Sequence, residues 1–166
     1  MKKLGLFLAL ILLVFPVVGC QSHDMEEEAM VDHANHNMVM GDLHEKTAAA
    51  EELPTFLANH HEAIGDIYER TPHYQDLLEH IPCYCGCGES VGHRSTFDCF
   101  IHERGEDGSV VWDDHGAKCG VCLEIAHASM ELYDNGTSVD EIRDLIDERY
   151  KEGYAEPTDT PHPSAS

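Results

Sequence analysis

Apolar and polar positions divide this chain into an apolar leader, a polar stretch without period, and a series of amphipathic segments. Leu4 to Val18 is apolar or small throughout. From Gln21 to Ala50 no apolar period exists, and Glu, Asp, His and Met alternate freely. Over 51–70, Phe56, Leu57, His60, Ile64, Ile67 and Tyr68 recur at the spacing of one helix face, with Pro54 suited to a first turn. Tyr74, Leu77, Leu78 and Ile81 predict a second, short helix that ends before Pro82. Gly86, Gly88 and Gly92 mark an irregular loop over 83–93. Phe97, Phe100 and Ile101 suggest one further helical turn, and Val110-Val111-Trp112 a short strand with no evident partner. The spacing of Val121, Ile125, Ala128 and Leu132 predicts a helix over 117–133, stopped by Asn135-Gly136. Ser138 with Glu141 forms a capping box, and Val139, Ile142, Ile146 and Tyr150 give an amphipathic last helix.

This pattern predicts a mainly α fold. A small helical domain with a Cys/Gly-rich loop spans 51–153, behind a flexible His/Met-rich tether over 20–50. A Pro-, Ser- and Thr-rich tail over 154–166 is expected to be disordered.

The leader changes the picture most. Lys2 and Lys3, the apolar run and a small residue before Cys20 have the form of a secretory signal peptide over 1–19. The run is shorter than the roughly 20 residues of a spanning helix. Val17-Val18-Gly19-Cys20 resembles a bacterial lipobox, which implies cleavage before Cys20 and lipid on its sulfur. The expectation is a lipoprotein on the extracytoplasmic face of the cell membrane, since two or more acyl chains hold where one binds only marginally.

Taking residues 1–19 off the 166 leaves 147, enough for one modest domain, with 8 basic against 32 acidic residues. So acidic a chain repels nucleic acid, which excludes that class of partner. No phosphate loop, nucleophile elbow or zincin motif is present, and the reading leans away from an enzyme.

Six cysteines remain beyond Cys20. Outside the cytoplasm an even set defaults to disulfides. The spacing argues for another use. Cys83, Cys85 and Cys87 alternate along a Gly-rich loop, where adjacent Cys-x-Cys bridges are awkward. Cys119 and Cys122 lie three apart at an expected helix start, where thiolate is stabilised. Cys99, His93, His102 and His115 lie between and can add ligands.

The run Ile81-Pro82-Cys83-Tyr84-Cys85-Gly86-Cys87-Gly88 resembles the signature of the PCYCGC-motif lipoproteins. Gly92-His93, Asp98-Cys99-Phe100 and Cys119-Gly120-Val121-Cys122 look like the same family. The resemblance implies that these cysteines act as a group, and brings no activity with it. Soft thiolates select Cu(I), zinc or iron–sulfur centres. Common zinc ribbons use two Cys-x-x-Cys knuckles and this chain has one. Cu(I) accepts two or three sulfurs from irregular loops, and Met and His in the tether suit it. The expected site is therefore Cu(I), with zinc as alternative, on Cys83, Cys85, Cys87, Cys99, Cys119, Cys122, His93 and His115. Two rival readings are a thiol–disulfide redox protein using Cys119 and Cys122, and a domain stapled by three disulfides.

Overall fold

The computed structural model describes residues 36–39 and 41–163; the leader, Cys20 and much of the expected tether lie outside the described residues. The architecture is mixed α and β, which corrects the expectation of a mainly α fold. An antiparallel sheet of four strands, β1 (His36–Val39), β2 (Asp42–Thr47), β3 (Ile101–Arg104) and β4 (Val110–Asp113), runs in the order β1-β2-β4-β3. Two of these strands come from the stretch read as tether. Asp42, His44, Glu45 and Thr47 of β2 are all buried, so its interior positions are polar and no apolar alternation betrays it. Polar bonds fix it instead. The Glu45 carboxylate accepts the Thr55 N–H at 2.6 Å, and Thr47 Oγ1 accepts the Trp112 indole N–H at 2.8 Å. Val110-Val111-Trp112 is a strand as expected, and it is central: β2 lies on one side and β3 on the other.

Only the second half of the expected 51–70 helix is α-helical, as α1 (Glu62–Arg70); a 3₁₀ turn over Thr55–Asn59 precedes it. A 3₁₀ turn over Thr71–Tyr74 leads into α2 (Gln75–Leu78), and α3 (Gly88–Val91) is a single turn in the Gly-rich loop. The helical turn expected around Phe97 is a 3₁₀ turn over Phe97–Cys99, and the chain then enters β3. After β4 come α4 (His115–Lys118), α5 (Gly120–Asp134) and α6 (Val139–Tyr150), the last begun by the expected Ser138–Glu141 capping box. Among the described residues no helix is long and apolar enough to cross a membrane.

The core lies between the sheet and the helices. Trp112, Tyr68, Phe100, Ile125, Ile146 and Tyr150 are fully buried in it. Residues 154–163, expected as disordered tail, run back across the Cys83 loop. Thr158 and Cys83 exchange two bonds, Cys83 N–H to Thr158 Oγ1 at 2.9 Å and Thr158 N–H to Cys83 O at 3.0 Å. Gly88 lets this segment approach closely: a Cβ on it would sit 2.7 Å from Thr158 Cγ2, so that side chain would have to shift.

Tyr68 ties helix to sheet. Its hydroxyl donates to the Asp113 carbonyl at 2.6 Å and accepts the Ala117 N–H at 3.0 Å. Tyr68→Phe keeps the ring and orphans both backbone groups. A stability loss of about 2 kcal/mol is expected in denaturant unfolding. A loss below about 0.5 kcal/mol would show that these bonds do not brace the β4–α4 junction.

Candidate metal centre

Three segments bring the sulfurs together. Pro82 to Cys87 is a loop held down by Thr96, whose N–H donates to Ile81 O at 2.8 Å and whose hydroxyl donates to Pro82 O at 3.0 Å. Gly86 takes φ +80°, the left-handed turn that folds Cys87 back so that its N–H donates to Cys85 Sγ at 3.3 Å. The second segment is the turn that ends in buried Cys99. Close approach of α4 to this turn demands Gly116, since a Cβ there would lie 2.5 Å from the Phe100 ring and 2.9 Å from Cys99 O. The third is the start of α5, where Cys119 is the extended N-cap residue and Cys122 sits one turn in.

Cys122 is the hub. Its Sγ lies 3.4 Å from Cys83 Sγ. The ligand atoms of Cys85, His115, Cys119 and Cys122 all fall within 4.8 Å of one another, and so do those of Cys83, Cys99 and Cys122. Cys83, Cys99 and Cys122 are buried, whereas Cys85 and Cys119 are half-buried and border solvent. The six described cysteines are free thiols.

The imidazoles are oriented as ligands. His115 Nδ1 pairs with Asp42 Oδ2 at 3.0 Å, which leaves Nε2 facing Cys85 Sγ at 3.6 Å. A carboxylate on one ring nitrogen with the other aimed into the site is how metal-binding histidines are held. His115 N–H also donates to Asp113 Oδ1 at 2.8 Å. His93 Nε2 lies 3.3 Å from Asp113 Oδ2, while its Nδ1 is buried without a hydrogen-bond partner among the described residues. The ligand atoms of His93, Cys99 and His115 lie within 4.8 Å of one another. An unpaired buried polar atom is costly, so this nitrogen is one that a cation could use.

Electrostatics divides the thiols. The Cys122 thiol hydrogen-bonds Cys119 and lowers its pKa to about 6, aided by the Cys122 and Val121 N–H groups. Cys122 and then Cys83 bring Cys99 down to about 7 against its burial. Cys122 also lowers Cys85. Cys122 itself is pushed up, first by Cys119 and then by the other thiols. His115 is raised to about 10, chiefly by Cys85 and further by Asp42. Thiols shifted toward thiolate thus surround one buried sulfur, and a bound cation would favour that form.

Of the residues singled out in the sequence, Cys83, Cys85, Cys99, Cys119, Cys122, His93 and His115 converge. Cys87 does not: it is exposed and belongs to no such group among the described residues. Its place in the Cys-x-Cys-x-Cys run suggested a ligand, but it follows the left-handed turn at Gly86 and lies exposed. His102 joins no sulfur group; its ring stacks on His44 with centroids 3.9 Å apart. Asp42 and Asp113 were missed. Asp113 follows the apolar Val110–Trp112 run and Asp42 sits in the presumed tether, so neither stood out from the acidic background.

The family described as "Protein of unknown function with PCYCGC motif" matches residues 9–163. No curated protein and no solved structure matches the chain.

The thiol electrostatics predicts an order of alkylation in metal-free, reduced protein. At pH 7 a thiol near 6 is mostly thiolate, against about one-hundredth for a thiol near 9. Burial pushes the Cys87 thiol up further despite its exposure. Peptide mapping after limiting iodoacetamide is expected to find Cys119 modified several-fold faster than Cys87, with the rate falling as pH drops through 6. Faster modification of Cys87 would contradict it.

Proposed function

We propose that this chain, which belongs to the family of proteins of unknown function with the PCYCGC motif, captures a soft metal ion, Cu(I), through thiolates gathered around Cys122. The observation that carries the reading is the set Cys85, Cys119, Cys122 and His115, with Asp42 turning the His115 Nε2 toward the sulfurs. Taken alone, three thiolates and one imidazole also suit structural zinc. Two features favour Cu(I). Cys122 is shared with an all-sulfur group, Cys83 and Cys99, and a soft ion is content with two or three sulfurs. Half-buried Cys85 and Cys119 leave the ion a way in and out, which suits capture and release more than permanent stapling.

In the same reading the protein is a lipoprotein, joined through Cys20 to the extracytoplasmic face of the cell membrane. That location sharpens the chemistry. Thiols outside the cytoplasm oxidise unless a metal, a reductant or a redox task occupies them. The role is binding rather than catalysis.

One observation favours a redox reading. Cys119 is a low-pKa thiol at a helix start, with Cys122 one turn on and Cys83 Sγ 3.4 Å beyond. Such a couple would cycle reversibly between dithiol and disulfide with a mass change of two hydrogens.

Uptake of Cu(I) separates these readings. The reduced full chain, carrying Cys20→Ser to remove the remaining thiol, is expected to withdraw Cu(I) from its bicinchoninate complex. Cys122→Ser should weaken uptake at least about tenfold, as expected for loss of a ligand. Cys87→Ser should leave it unchanged. Binding should also weaken in acid, where thiolates must give way to thiols. No uptake, or equal uptake by Cys122→Ser, would contradict Cu(I) capture. For the anchor, cells fed labelled palmitate should label the unaltered chain and not Cys20→Ser; equal labelling would contradict lipidation at Cys20.

A further inference from the structure

We propose that His44, His102 and Asp113 form a second metal site, separate in its donors from the thiolate cluster, for a borderline divalent cation of the zinc class. The three ligand atoms lie within 4.8 Å of one another. His44 and Asp113 are direct partners across β2 and β4, so their side chains share one face of the sheet. His44 Nε2 lies 2.7 Å from Asp113 Oδ2, and both residues are buried.

The third ligand comes from β3. On β3, Ile101 pairs with Trp112 and Glu103 with Val111, so His102 is the extra residue of a β-bulge. In a regular strand His102 would oppose Val111, and its side chain would alternate with that of Ile101. Val111 and Asp113, two residues apart on β4, share that face, so His102 lies on the side of His44 and Asp113, and its ring stacks on His44 with centroids 3.9 Å apart and planes at 25°.

The surroundings suit a cation. Asp113 Oδ1 is fixed by the His115 N–H at 2.8 Å, which points Oδ2 at the imidazoles. His93 Nε2 approaches the same Oδ2 at 3.3 Å. One carboxylate oxygen thus faces two buried ring nitrogens, with a third imidazole near by. Two neutral imidazoles and a carboxylate are a borderline donor set that suits Zn²⁺ and excludes the preference for soft monovalent ions seen in sulfur. Tetrahedral zinc with ligands at about 2.0–2.1 Å needs donor atoms roughly 3.4 Å apart, so His44 and Asp113 have to open only slightly. His102 is exposed, which leaves the remaining position to water. The formal charge of −22 draws cations to the protein as a whole.

Native mass spectrometry of the full chain titrated with Zn²⁺ tests this. His102→Ala alters an exposed residue, and circular dichroism checks that the fold is retained. This variant should take up one Zn²⁺ fewer than the unaltered chain, or hold that ion at least about tenfold more weakly. Cys122→Ser should still take up the ion that His102→Ala loses. Equal uptake by His102→Ala and the unaltered chain would overturn the proposal and leave a plain His–Asp brace across the sheet. So would loss of the same ion in both variants, or no zinc uptake at all. Failure of Cu(I) capture is read separately, from Cu(I) uptake by the chain with its core cysteines intact compared with Cys122→Ser.

Discussion

Four thiols crowded around one buried sulfur set the terms for this molecule. Cys122 Sγ sits among Cys83, Cys85, Cys99 and Cys119, at the point where a loop, a turn and the start of α5 meet. Neutral thiols pack there as small apolar groups, but Cys119, Cys99 and Cys85 are held below the ordinary thiol pKa, and a charge in an interior needs a partner. His115 offers one positive neighbour, raised to about 10 by Cys85 and Asp42. A cation bound among the sulfurs would be a second such partner, which supports the proposed metal site.

The rest of the fold positions that cluster through Asp113. It ends the central strand β4, and its carboxylate reaches His115 N–H, His93 and His44, while its carbonyl accepts the Tyr68 hydroxyl. Burial pushes this carboxyl up, yet His93, the His115 N–H and His44 together hold it below its ordinary value. One buried anion thus joins sheet, α1 and α4. It stands between sulfur donors on one hand and the His44–His102 pair on the other. Residues 154–163 complete the arrangement by pinning Cys83 from outside through Thr158.

What was legible in the sequence follows from how each element is stabilised. α5 and α6 bury apolar stripes and carry a capping box, so periodicity and end signals located them. The cysteine constellation was legible because thiols at Cys-x-Cys and Cys-x-x-Cys spacing are rare and chemically specific. β2 was not, because its buried positions are Asp42, His44, Glu45 and Thr47, which read as tether. With β2 hidden, β4 had no visible partner, β3 looked like a helical turn, and a mainly α fold was the natural expectation. Two polar residues of the sites, Asp42 and Asp113, were hidden by the same acidity that made the chain look solvated. Cys87 shares the motif of its neighbours, yet it is exposed and stands outside the groups they form among the described residues.

The central claim is that the converged sulfurs hold Cu(I). X-ray absorption at the copper edge, on the reduced chain loaded with Cu(I), tests it most directly. The account predicts a nearest shell dominated by sulfur, with an imidazole contribution lost in His115→Ala. A shell of nitrogen and oxygen alone, or one unchanged in Cys122→Ser, would contradict it.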